Sequence, residues 1–290
     1  MSFKQVVLLA LQVSIIATVF GFGLNATAER LSALLRRPRL LVRAFVAMFV
    51  IMPLVAIALV KWFDFSRAVD VVLLALALSP VPPLLPQREQ KSGGDVHLGI
   101  GLMVFLALAS IVAVPAIVAV AERLSDREIT TPMSTIVAMV LKVVIAPLAA
   151  GMILRATLPA AATRLERIAE LLAKVLLPIA ALALIAGTLS VIWQATGVGS
   201  LAALSLFVVA GLVTGHVFGG PDPDHAVVLA LSTACRHPAI ALTIATSNAP
   251  TEPVGGTILL YLILNAIVAI PYVQWQKRRL ARAPAAGVAQ

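Results

Sequence analysis

The chain has 290 residues, 61% of them hydrophobic and 12% charged, with a mean hydropathy of +1.03. A soluble domain is about 25% charged, so this composition excludes a water-borne globule and predicts an all-α chain dissolved in lipid. A single cysteine excludes a disulfide framework and a cysteine-based zinc site. The net charge of +9 comes without a basic stripe carrying interleaved aromatics, which argues against nucleic acid.

A helical crossing needs about 20 apolar residues. The first run, Gln5–Leu24, lacks a small-residue cleavage site with the usual flanks and reads as a retained helix. Leu40–Val60 is the second. The third, Ala68–Ser79, stops about halfway across a bilayer, at SPVPPLLPQREQKSGGD. Gly94–Val120, Met133–Leu154, Leu171–Trp193 and Leu201–Phe218 follow. Ala226–Cys235 stops early at RHPA and resumes as IALTIAT, and Gly255–Gln274 is the last run. Counting each broken run as one crossing predicts nine, with the termini on opposite sides. With the N-terminus outside, the inner segments collect Arg30, the cluster Arg36–Arg43, Arg88, Lys91, Arg155–Lys174 and Lys277–Arg282. The outer segments hold only Lys4, Lys61, Arg67, Arg123 and Arg127. Basic residues mark the cytoplasmic side, so the expected protein is integral to a bacterial inner membrane, N-terminus out and C-terminus in.

The two broken runs are alike. VVLLALALSPVPP (Val71–Pro83) and VVLALSTACRHPA (Val227–Ala239) share an apolar opening, a serine and a proline-containing stop. As third and eighth crossings they run in opposite directions. This predicts inverted repeats: residues 1–121 with four crossings and a broken helix at 68–93, and residues 129–280 with five crossings and a broken helix at 226–246. Residues 281–290 form a cytoplasmic tail. Proline-interrupted spans at matching places in two halves point to a transporter's binding site.

A broken membrane helix frees N–H and C=O groups that lipid cannot satisfy, so they face protein or water. The half-helix that follows starts near the midplane with a partial positive charge that suits an anion. Arg236 adds a full charge there, whose burial demands a partner: Glu89 or an anionic substrate, the alternative being a structural charge that snorkels. His237 is a proton relay or a neutral ring donating to a freed carbonyl. Lys142 attracts an anion or snorkels. The substrate site is therefore assigned to Arg236, His237, Ser232, Ser79, Pro82, Glu89 and Lys142, with Pro80, Pro83, Pro86 and Pro238 making the breaks. His97 follows Asp95 at a helix start. Beside His216, Gly211, Gly215 and Gly219 form a packing face. Asp222, Asp224 and His225 are read as a turn rather than a metal site. No HExxH, GxSxG or Walker sequence occurs, so an enzyme is not expected.

The order of these features resembles the bile acid:sodium symporter family of organic-anion transporters. The likeness is carried by FGFGLNATAERLSALLRRPR, FVIMPLVA with Pro53, LALSPVPP…GGDVHLGIGL, VVIAPLAAGMI with Pro147, and ALSTACRHPAIALTIA. It implies panel and core domains, an absent first helix, and discontinuous helices over Ala68–Gly93 and Ala226–Thr246 that cross beside sodium and substrate. Sodium-coupled members typically follow the first-break proline with Gly-Gly and soon a Ser-Asn pair. Here Val81 and Pro82 follow Pro80, and Leu85 and Pro86 stand at the pair. The second-break pattern Glu-x-Gly-x-Gln-Asn is matched by Ser232, Ala234, Arg236 and His237, and a glutamine before the second-helix proline by Met48. Set against that resemblance, the missing oxygen ligands and the new cation predict that Arg236 replaces sodium, making the protein a sodium-independent secondary carrier of organic anions: a uniporter, an exchanger or a proton-coupled transporter. The expected partners are a small organic anion and the bilayer, with no cofactor; the oligomeric state is left open. The alternatives are a sodium site relocated to break carbonyls with Ser79 or Ser232, a membrane sensor or scaffold, and an intramembrane enzyme.

Overall fold

The computed structural model describes residues 3–25, 34, 36–125 and 133–282. Arg30, Arg127, the stretch 26–33 of the first family-like motif and the tail from residue 283 lie outside them. All regular structure among the described residues is helical. In chain order the helices are α1 (Phe3–Asn25), α2 (Pro38–Val46), α3 (Met52–Trp62), α4 (Arg67–Leu78), α5 (Leu85–Lys91), α6 (Val96–Ser125), α7 (Met133–Val140) and α8 (Ala146–Thr157). They continue with α9 (Pro159–Gly187), α10 (Leu189–Ala195), α11 (Val198–Gly219), α12 (Pro223–Ala234), α13 (Pro238–Asn248) and α14 (Val254–Arg282). Among the described residues, 8 helical stretches are long and apolar enough to cross a membrane. The interrupted pair α4 and α5 is not among them, whereas α12 and α13 together are.

Two elements differ from expectation. The predicted crossing Leu171–Trp193 begins earlier, at Pro159, and α9 ends at Gly187. The stretch TRLERIAELLAK looks like a charged loop, yet its charges sit at helical spacing. Lys174 lies 2.7 Å from Glu170 as an i,i+4 pair. The stop after Ala68–Ser79 is not wholly irregular either, because Leu85–Lys91 re-forms a short helix before Gly93 turns the chain at φ +93°.

Prolines shape two further helices. A π-helical turn, Ala47–Ile51, joins α2 to α3, and another, Leu141–Ile145, joins α7 to α8. Each lies just before a proline, Pro53 or Pro147. A proline ring clashes with the carbonyl four residues earlier, and the wider turn relieves that clash. It also shifts the hydrogen bonds: the N–H of Met52 donates to Ala47 O and that of Ala146 to Leu141 O. In this register the next carbonyl, Met48 O, would receive from residue 53, which has no N–H.

The packing places these elements around the breaks. α1 lies against α8 and α9. α11 lies against α2, α12 and α14; α13 rests on α4 and α14; α5 rests on α6 and α12. The α11–α12 seam is glycine-built, as the GxxxGxxxG pattern predicts. A side chain at Gly215 would run into Leu229 O and Ala230 Cα, and one at Gly219 into Ala226 Cα.

Candidate functional site

Helix α4 ends at Leu78 and α12 at Ala234, each followed by extended backbone at Ser79 and Cys235. The two interruptions touch: the main-chain N–H of His237 donates to Pro80 O at 2.8 Å. Arg236 is 1% exposed. Its guanidinium donates from Nη1 to Ser79 O at 3.2 Å and from Nη2 to Met48 O at 3.3 Å. Thus the carbonyl left over by the π turn and the carbonyl at the end of α4 share one cation.

The end of α12 is held from α14. Tyr261 accepts the Arg236 N–H at 2.7 Å and donates to Ala234 O at 2.9 Å. Asn265 Nδ2 donates to the same oxygen at 3.0 Å. Arg88, on α5, donates to Asn265 Oδ1 at 2.6 Å and to Asn265 O at 2.9 Å. It also reaches Cys235 Sγ at 3.3 Å. His237 caps α13, its Nδ1 accepting from the Ile240 N–H at 3.4 Å. Of the two roles read for His237, the ring-to-carbonyl bond takes another form: the main-chain N–H of His237 serves a freed carbonyl, and its ring Nδ1 accepts.

Next to this crossing is a cavity of about 950 Å³. Its polar lining includes Arg88, Lys142, Arg236, His237, Asn265, Tyr261 and Gln12, with Pro82, Pro83 and Pro238 beside them. Leucine, isoleucine, alanine and methionine side chains from α1, α7, α9 and α14 supply most of the rest. Among the described residues, three cationic residues line it and no carboxylate does. Lys142 is on the second π turn and is exposed. A second cavity of about 430 Å³ lies between α1, α5, α6 and α9, lined by Thr18, Asn25, Gln87, Gln90, His97, Glu166 and Glu170 among others.

Three assigned residues do not reach the large cavity. The Ser79 hydroxyl turns back to Leu76 O at 2.9 Å, leaving only the Ser79 carbonyl at the crossing. The Ser232 hydroxyl donates to Glu89 Oε1 at 2.8 Å. Glu89 is fully buried and forms no ion pair with Arg236. Of the two partners expected for Arg236, Glu89 is not the one it meets in this structure: main-chain carbonyls take the guanidinium, and Ser232 donates to the carboxyl. Pro80 contributes its carbonyl, and Pro86 is in the first turn of α5. Asp222 caps α12, accepting from the N–H of Asp224 at 3.0 Å and of His225 at 3.4 Å. Among the described residues no group of three His, Cys, Asp or Glu is placed to hold a metal.

Sequence reasoning missed Arg88, Tyr261 and Asn265. A signal for the last two exists. In LLYLILNAIVA they are polar residues four apart within an apolar run, hence on one helix face, and polar groups inside a span face partners.

No curated protein matches this sequence. A family model does: the sodium bile acid symporter family matches residues 12–213, well over half of the chain and ending before the second break. With membrane-spanning helices and an interrupted pair at the positions that carry the resemblance, the chain belongs to the sodium bile acid symporter family.

Proposed function

We propose that the protein is a secondary carrier of amphipathic organic anions that works without sodium. One observation carries the reading: among the described residues, the large cavity at the crossing combines Arg88, Lys142 and Arg236 with apolar walls and no carboxylate. An apolar body with an anionic group is the ligand class that such a lining favours. In this reading the chain crosses nine times as two inverted repeats, the pair α4–α5 making a crossing that neither helix makes alone. Helices α1 and α7–α9 form the panel; α2–α6 and α11–α14 form the core. Alternating access moves one against the other. The N-terminus is outside and the C-terminus is in the cytoplasm of a bacterium.

Sodium-independence is supported by the occupants of the crossing. Sodium needs several oxygen donors. Two carbonyls there already receive a guanidinium. Positions 48, 85 and 86 offer no side-chain oxygen. The hydroxyls of Ser79 and Ser232, which a relocated sodium site would use, serve Leu76 O and Glu89. Arg236 therefore supplies permanently the charge that a bound ion supplies transiently.

Purified protein in liposomes preloaded with unlabelled taurocholate tests this. Labelled taurocholate should enter by saturable counterflow, at the same rate in sodium chloride and in choline chloride. A rate that rises and saturates with sodium overturns sodium-independence, and absence of counterflow across a panel of organic anions overturns the carrier reading.

A further inference from the structure

Glu89 has no part in the anion site just described. It sits on α5 between residues that face different spaces. Arg88 lines the large cavity, Gln87 and Gln90 line the smaller one, and Glu89 lines neither. Its side chain is 0% exposed. Oε1 accepts one hydrogen bond, from the Ser232 hydroxyl at 2.8 Å. Oε2 has no partner and fills the space that a side chain at Gly99 would take.

The charges around Glu89 leave it uncompensated. On α5 itself, Arg88 is committed to Asn265 and Lys91 is exposed. From α6, the nearest titratable residues in sequence are Asp95, which caps the His97 N–H, and His97. From α12 they are Asp222, Asp224 and His225 at its start and the neutral thiol Cys235 just past its end. Among the described residues, Glu89 is in no ion pair. An ionised carboxylate offers about four acceptor positions, and burying it with one neutral donor costs far more than burying the acid. Sodium is no substitute, because Oε2 abuts Gly99 and leaves no coordination space. A proton is the cation that needs none.

We propose that Glu89 is a proton-binding site, closed in this conformation and exposed through α5 to one cavity at a time, so that anion movement carries a proton. This rests on the carrier reading above. On opening, the O–H bond breaks, the proton passes to water, and the carboxylate is solvated. On the return step a proton from the opposite side restores the acid before closure. Ser232 holds the carboxyl in place in the closed form.

Two measurements test it. The first is independent of substrate: infrared spectroscopy of the full-length protein in liposomes at neutral pH. A protonated-carboxyl carbonyl band that shifts in D2O should be present, and Glu89→Gln should remove it. Glu89→Asp should move that band rather than abolish it. No such band, or one unchanged in Glu89→Gln, overturns the proposal. The second uses labelled taurocholate with vesicles one pH unit more alkaline inside. Electroneutral one-proton symport then drives up to about tenfold accumulation, whereas Glu89→Gln should show none. Counterflow without pH-driven accumulation in the wild type, or accumulation that survives in Glu89→Gln, overturns the coupling and leaves the carrier standing. Loss of counterflow itself counts against the carrier, while the infrared band still judges the proton site.

Discussion

The two interruptions are made of opposite chemistry. In Ser79–Leu84, Pro80, Pro82 and Pro83 have no N–H, so the segment is rich in acceptors and poor in donors. Cys235–His237 brings donors instead: the Arg236 guanidinium and the His237 N–H, which satisfy Ser79 O and Pro80 O. Each break alone would leave polar groups unpaired inside the membrane. Together they close one another, and the surplus acceptor, Met48 O, is met by the same guanidinium. The lesson is that a cation buried at a helix break can serve the main chain.

Removing the donor should break the pairing most severely. Arg236→Gln takes the charged donor away from Ser79 O and Met48 O. Each of the two buried carbonyls left without a donor costs about 1–3 kcal/mol. Thermal unfolding in detergent should show a large drop in midpoint, and counterflow should fall with it. If the guanidinium stands where an ion stands in sodium-coupled relatives, the variant's midpoint should also rise when choline is exchanged for sodium. The wild type should not respond. A variant as stable as wild type would mean the two breaks do not depend on each other's chemistry.

The donor side has its own support, and trimming it tests whether the second break is held by α14 or by the first break. Tyr261→Phe deletes one hydroxyl that both receives the Arg236 N–H and donates to Ala234 O. Each buried group left unsatisfied costs about 1–3 kcal/mol, and Asn265 still serves Ala234 O. The expected loss is about 2 kcal/mol, read from the unfolding midpoint. Hydrogen exchange at Arg236 should rise, while the His237 N–H, which is bonded to Pro80 O, keeps its protection. Equal deprotection of both amides would show that the two breaks open as one unit.

How much of this was legible in the sequence follows from which atoms do the pairing. The stops at Pro80 and at Arg236–Pro238 stand out because prolines and charges interrupt apolar runs. Lys142, Pro82 and His237 were placed by the same contrast, and all three line the large cavity. Arg236 and Glu89 look like an ion pair on paper because their charges are opposite. The true acceptors are carbonyls, which every residue owns and no letter marks. Met48 is the clearest instance. Its side chain reads as a lost ligand, while its contribution is a carbonyl released by Pro53 and the π turn. The start of α9 was misplaced because its charged turns, around Glu166–Lys174, resemble a loop until their spacing is counted.

The smallest effect comes from the acceptor side. Pro82→Ala gives the first break an N–H that it lacks, on the wall of the large cavity. The carbonyl of residue 82 already receives the Leu85 N–H at 3.1 Å, so the turn into α5 persists. Losing proline stiffness frees the unfolded chain and lowers stability by about 0.4–1 kcal/mol, a slight fall in midpoint. Because the new donor is not matched by a new acceptor in the second break, it gains nothing from Arg236 or His237. A Pro82→Ala variant more stable than wild type would mean the first break is short of donors even with Arg236 in place, and the division of chemistry between the two breaks would be incomplete.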